Sequence, residues 1–154
     1  MKKAVCFGEV LWDIFPEGKS AGGAPMNVAF RLKDLGFQVE MMSRIGQDSH
    51  GEELGEIIDQ KLGIGYIQTD KKYPTGIVKI GLDQNKNAQY DIVYPSSWDF
   101  IEYEDSWKRL VEESDVFVFG SLACRGRKTR SNPLQAIEFK QIFSFRYQFA
   151  CTPL

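Results

Sequence analysis

The sequence predicts an α/β protein: a parallel sheet with helices on both faces, carrying a small antiparallel β insertion. Two observations support this. Short apolar runs closed by glycine alternate with amphipathic helical stretches, the order of a parallel sheet. Between residues 66 and 94 that order gives way to two runs with partial period-two alternation around a polar turn. The composition permits one sizeable core, since 43% of the 154 residues are hydrophobic and 13% aromatic.

Taken in order, Lys3-Ala-Val-Cys-Phe-Gly8 is a short buried strand. Val10-Leu-Trp-Asp-Ile-Phe15 joins strand-forming residues to one conspicuous carboxylate, Asp13, before Pro16-Glu-Gly18 turns the chain. Ser20 to Pro25 reads as a flexible entry loop, and Pro25 suits the first turn of a helix, where its missing N–H costs nothing. Val28, Ala29, Leu32 and Leu35 keep helical spacing up to a C-cap at Gly36. Val39 to Ser43 is the second buried strand. Asp48 then caps a helix over residues 49–62, with Glu52 and Glu53 near its positive end and Gly63 as its stop. The apolar face of that helix is Leu54, Ile57, Ile58 and Leu62. The insertion follows as Thr75 to Leu82, a turn from Asp83 to Ala88, and Gln89 to Tyr94. Trp98 to Glu113 reads as a turn and a helix, and Asp115 to Gly120 as the third buried strand.

Charge and cysteine usage narrow the setting. A net charge of -2 gives no electrostatic reason to expect nucleic acid or an anionic membrane as partner. No stretch approaches the roughly 18 apolar residues of a membrane span. Met1-Lys2-Lys3 looks like the start of a secretory signal, but Glu9 interrupts the apolar run well short of the about 7–15 residues such a signal needs. Cys6, Cys124 and Cys151 are odd in number and far apart, which suits reduced thiols rather than disulfides or a metal site. A cytoplasmic protein is expected.

The residues with the most chemistry are Gly22-Gly-Ala-Pro-Met-Asn27-Val-Ala29. Two successive glycines allow positive φ and a close backbone approach to a ligand. The helix starting after Gly23 directs N–H groups toward oxygen-rich groups. Asn27 has both donors and acceptors, as hydroxyls require, and the Asp13 carboxylate can accept two hydroxyl hydrogen bonds. Together they describe a polyol-binding corner at the carboxyl edge of a parallel sheet. The same residues would also serve a helix N-terminus with a tight glycine turn and no ligand. Of the remaining candidates, His50 reads as an ordinary first-turn residue and Asp48 as a cap. Trp12, Trp98 and Trp107 read as packing groups, Trp98 being the one placed to stack on a ligand.

Five pieces in order extend the pattern: Gly8-Glu-Val-Leu-Trp-Asp13, Gly22 to Ala29, Leu35-Gly36, Ile45-Gly-Gln-Asp48-Ser-His-Gly51 and Thr75-Gly76. Over residues 3–124 the chain thereby resembles the PfkB carbohydrate kinases, with Gly22 to Ala29 matching the family's N-terminal signature. Gly8 to Asp13, Trp98-Asp99 and Gly120-Ser-Leu-Ala-Cys124 look most like bacterial fructokinases. The resemblance implies a ribokinase-like fold and transfer of the ATP γ-phosphate, with Mg2+, to a sugar hydroxyl. It implies sugar contacts at Asp13, Gly22, Gly23 and Asn27. The insertion, about 66–95 with 12–18 contributing, would be the family's lid, which covers the sugar and offers a surface for a homodimer. Fructose is the favoured sugar, with ribose or 2-keto-3-deoxygluconate as alternatives.

The resemblance also implies what lies elsewhere. The family's catalytic aspartate, in a Gly-x-Gly-Asp motif, and its nucleotide site fall past residue 154 in its members, and no such motif occurs in this sequence. No catalytic, nucleotide-binding or metal residue is therefore assigned. The chain is read as a sugar-binding part that does not transfer phosphate alone, or as a non-catalytic remnant. Composition breaks after Cys124. Residues 125–154 hold six basic residues and one acid, a net +5, against 13 basic and 20 acidic residues, a net -7, before them. That segment is expected to be a divergent or out-of-frame tail outside the fold.

Overall fold

The computed structural model describes residues 1–82, 84 and 87–131, and the backbone of residues 142–145. Its elements in chain order are β1 (Lys3–Phe7), β2 (Leu11–Phe15), β3 (Gly18–Gly22), α1 (Ala24–Asp34), β4 (Gln38–Gly46), α2 (Ser49–Leu62) and β5 (Ile67–Asp70). They continue with β6 (Gly76–Leu82), β7 (Ala88–Ile92), α3 (Asp105–Glu112), β8 (Val116–Gly120), α4 (Arg127–Arg130) and β9 (Ile142–Phe145). Short 3-10 turns occupy Ser97–Phe100 and Leu122–Arg125.

The strands form two sheets. The first has the order β5-β4-β1-β8-β9 and is parallel at every pairing; the second has the order β3-β2-β6-β7. In the second, β2 and β3 are antiparallel, β2 and β6 parallel, and β6 and β7 antiparallel. The expected α/β architecture with a separate small sheet is therefore present.

The first sheet is buried on both faces because its strands carry apolar side chains at successive positions. Ala4, Cys6, Val39, Met41 and Val118 face Met26 and Ala29 of α1 and Leu54 and Ile58 of α2. Val5, Phe7, Met42 and Phe117 face the other way, onto Trp98, Ile101, Trp107 and Val111. Each large side chain buried in this way contributes about 2 kcal/mol, so both layers hold the central strands in place.

Helix ends follow the sequence closely. Asp48 caps α2, its carboxylate accepting from the Gly51 N–H at 2.8 Å, and Gly63 ends the helix at φ 89°. A Cβ on Gly51 would overlap the Gly46 carbonyl, so the Asp48-x-x-Gly51 spacing lets α2 start tight against the end of β4.

Three expectations change. The stretch expected as an entry loop includes β3, which pairs with β2 through its backbone although Gly18-Lys-Ser-Ala-Gly22 lacks a strand-like side-chain pattern. The insertion is narrower than 66–95, because β5 pairs with β4 in the first sheet and only β6 and β7 join β2 and β3. The start of the basic segment packs into the fold. Arg125 makes a two-point contact with Asp99 at 2.7 and 2.9 Å, and the buried Thr129 hydroxyl binds the Trp98 carbonyl at 3.2 Å. The backbone of β9 pairs in parallel with β8. The rest of the segment expected to be a tail, and part of the turn between β6 and β7, lie outside the described residues.

Candidate functional site

The strand order places a switch point at the centre of the first sheet. From β1 the chain moves out to β4 and β5 on one side, then returns to β8 and β9 on the other. Between the carboxyl ends of β1 and β8 the following segments diverge, and α/β proteins bind ligands in such a crevice. Here the chain leaves β1 at Gly8, which has φ 139°, crosses through Glu9 and Val10, and enters the second sheet as β2. The crossover is held by Gly8 N–H on the Met42 carbonyl at 3.2 Å and by the Ser43 hydroxyl on the Gly8 carbonyl at 2.6 Å.

A cavity of about 460 Å³ opens at this point. The second sheet supplies one wall, through alternate residues of β2 (Leu11, Asp13, Phe15), β6 (Val78, Ile80) and β7 (Tyr90, Ile92). Its other face, with Trp12, Ile14 and Ile77, packs on the core beside α1 and α2. Gly23 and Ala24 at the start of α1, Glu9 at the crossover and Leu122 after β8 complete the lining.

The start of α1 is shaped for close approach. Gly23 has φ 113°, and a Cβ there would overlap the Glu9 carbonyl. No side chain caps the helix, so its first N–H groups are left for other partners. Gly22 faces Asp13: a Cβ at residue 22 would collide with the carboxylate, so glycine leaves room for it. Asp13 is half-buried, and burial raises its carboxyl above the usual range. The described residues make no hydrogen bond or ion pair with that carboxylate.

Of the four residues expected at the site, Asp13 and Gly23 line the cavity and Gly22 backs Asp13. Asn27 is exposed one turn into α1, its N–H bonded to the Gly23 carbonyl at 2.9 Å, and it is not among the lining residues. His50, half-buried in the first turn of α2, lies against the core-facing side of the second sheet, away from the cavity wall, its carbonyl accepting from Trp12 Nε1 at 2.9 Å. Trp98 is the packing group the sequence suggests rather than a stacking platform: it is fully buried beneath Gly76 and the Arg125 guanidinium, which lies 4.0 Å from its ring.

One group at the site escaped the sequence reading. Glu9 is fully buried, lines the cavity, and neither of its carboxyl oxygens has a hydrogen-bond partner. Burial pushes its carboxyl up to about 7, against a partial downward pull from its own N–H, those of Ala123 and Ala24, and the Arg125 charge. The only hint in the sequence is an acid placed between two apolar strands.

The donor set suits hydroxyl groups. Two carboxylates, two backbone positions at a helix start and apolar walls can orient a polyol. Among the described residues no Lys or Arg lines the cavity to neutralise a triphosphate. Among the described residues no three His, Cys, Asp or Glu side chains converge as a metal site would. No described helix is long and apolar enough to cross a membrane.

Comparison with known proteins identifies the family and the fold. The family model of the pfkB family carbohydrate kinases matches residues 1–134. A fructokinase of Vibrio alginolyticus is 26% identical over 138 residues, covering 85% of this chain and 44% of that protein. Among solved structures, an uncharacterized sugar kinase of Pyrococcus horikoshii in complex with ATP superposes with a TM-score of 0.74 at 25% identity, covering 86% of this chain and 48% of that one. The Halothermothrix orenii fructokinase superposes with a TM-score of 0.74 at 24% identity, covering 87% and 51%. The chain thus spans about half the length of the relatives it matches.

Proposed function

The chain belongs to the pfkB family of carbohydrate kinases, and on that premise we propose that it forms the sugar-binding part of an ATP-dependent sugar kinase, with fructose as the favoured substrate and fructose 6-phosphate as the product of the whole protein. The observation that carries the proposal is the cavity between the two sheets, lined by Asp13 of β2, with glycine at residue 22 where a Cβ would collide with that carboxylate and at residue 23 where one would collide with the Glu9 backbone. The name of the Vibrio alginolyticus relative supports fructose.

In this reading Asp13 accepts hydrogen bonds from two sugar hydroxyls and fixes the orientation of the ring. Gly22 keeps the carboxylate free to turn toward the sugar, and Gly23 lets the helix start approach it. Asn27 adds a donor and an acceptor once its side chain swings toward the mouth. The apolar face of β6 and β7 acts as a lid, covering the ring and excluding water, which favours transfer to sugar over transfer to water. ATP with Mg2+ supplies the phosphoryl group in the whole protein, and no step is routed through the residues of this cavity. We place the protein in the cytoplasm, supported by cysteines that are few, odd in number and far apart in the sequence. A homodimer through the lid belongs to the same proposal: it would cover the exposed side chains of Leu82 and Tyr94, and sedimentation as a monomer would count against it.

The test compares sugars. Titrating fructose, ribose and 2-keto-3-deoxygluconate into the chain should show saturable binding that is tightest for fructose. Tighter binding of another sugar would move the substrate, and no binding of any would remove the reading in favour of a non-catalytic remnant. A coupled assay with fructose and ATP should show no turnover by this chain alone; measurable turnover would overturn the assignment of transfer to residues beyond it.

A further inference from the structure

We propose that Glu9 is a second sugar-contacting group of this cavity, reaching from its floor the hydroxyls that Asp13 does not reach from its wall. The assignment rests on the sugar-binding reading of the cavity and deepens it.

Three observations converge on Glu9. It sits at the switch point, in the crossover that joins the two sheets. It is fully buried, yet both carboxyl oxygens lack hydrogen-bond partners. A buried unpaired carboxyl is destabilising and persists where it has a partner the folded chain does not supply. It also lines the cavity itself, beside Gly23 and Ala24.

The N–H groups of Glu9, Ala24 and Ala123 lie near enough to pull on the carboxyl but make no hydrogen bond of good geometry to it, so its oxygens stay unsatisfied. Gly120 lies against its oxygens so closely that a Cβ there would overlap both. Its nearest cation, Arg125, is committed to Asp99 and the Val93 carbonyl. The first turn of α1 has no acidic residue, and among the described residues the other titratable groups lining the cavity are Asp13 on β2 and the Tyr90 phenol on β7. A floor group that keeps its proton can donate an O–H to a sugar oxygen, while the wall carboxylate accepts from hydroxyls. The pair thus offers both halves of the hydrogen bonding that a hydroxyl needs.

The test uses the 154-residue chain with Glu9→Gln and Glu9→Leu, titrated with D-fructose by calorimetry and followed by thermal melting. Glu9→Leu should bind fructose about tenfold more weakly. Glu9→Gln, which keeps a donor, should lose less. Both should melt at or above the temperature of the unaltered chain, because an unpaired buried carboxyl has been removed. In the unaltered chain affinity should fall as pH rises through about 7, where the carboxyl loses its proton, and this dependence should vanish in Glu9→Gln. Unchanged affinity in both variants, with binding still lost in Asp13→Ala, overturns the Glu9 assignment alone. So does a lower melting temperature in both variants with affinity kept, which would make Glu9 structural. Absence of fructose binding by the unaltered chain overturns the cavity reading and Glu9 with it.

Discussion

Four carboxylates of this fold divide into two pairs with opposite surroundings. Asp48 and Asp99 lie where the second sheet joins the first, and their oxygens are filled. Asp48 accepts from the Gly51 N–H, the Thr75 N–H and the Thr75 hydroxyl at 2.7–2.8 Å, and Thr75 Oγ1 in turn accepts from the Gly46 N–H at 2.9 Å. Asp99 accepts from Arg125 at two points and from the Ser96 N–H at 2.9 Å. Around the cavity, Glu9 and Asp13 have no such partners among the described residues. The protonation behaviour follows: burial raises Glu9 and Asp13, while hydrogen bonds outweigh burial and lower Asp48. The lesson is physical. A carboxylate whose oxygens are all used holds the fold together, and one left unused in a cavity is available to a ligand.

The largest expected effect breaks the filled pair. Arg125→Ala should destabilise the chain by about 3 kcal/mol, because it leaves Asp99, 1% exposed, as a buried unpaired charge. In thermal melts that is a fall of about 10 °C. A shift within a degree or two would show that the contact is idle and that the segment after Cys124 is dispensable.

Glu9→Gln should act in the opposite direction, and its size should depend on pH. The folded carboxyl titrates at about 7 against an ordinary value of 4.5, so between these values the folded state binds more protons than the unfolded one. Stability therefore falls as pH rises through this window. The advantage of Glu9→Gln should grow by about 2 kcal/mol between pH of about 5 and about 8. An advantage independent of pH would mean that Glu9 is not held neutral.

Asp48→Ala should cost about 1.5 kcal/mol, by removing the α2 cap and the tie to Thr75. Because the folded pKa of Asp48 is lowered, its contribution is present above the ordinary carboxylate range and is lost as pH falls through the folded value. Urea denaturation of the variant and the unaltered chain should therefore converge in acid. The smallest effect on stability belongs to Asp13→Ala, within about 0.5 kcal/mol, since no partner is lost.

Much of this was legible in the sequence. The α2 boundaries, its Asp48 cap, the glycine pair and the hairpin follow from local chemistry that tertiary contacts do not override. The misses have a common cause. β3 is held by backbone pairing with β2, which its small residues do not announce. β5, with Ile67-Gln-Thr-Asp70, looks like part of the insertion until β4 is seen beside it. Arg125 reads as one of a run of surface charges because Asp99, its partner, is 26 residues away. Glu9 is the sharpest case, because only the packing of Gly120 and the start of α1 around it reveals a carboxyl without partners.

The central claim is that the unfilled carboxylates mark a sugar site. Calorimetric titration of D-fructose into the 154-residue chain and into its Asp13→Ala variant tests it most directly. The unaltered chain should bind one fructose, and Asp13→Ala, folded and melting as before, should bind about thirtyfold more weakly or not at all. Equal binding by the two proteins would contradict the account.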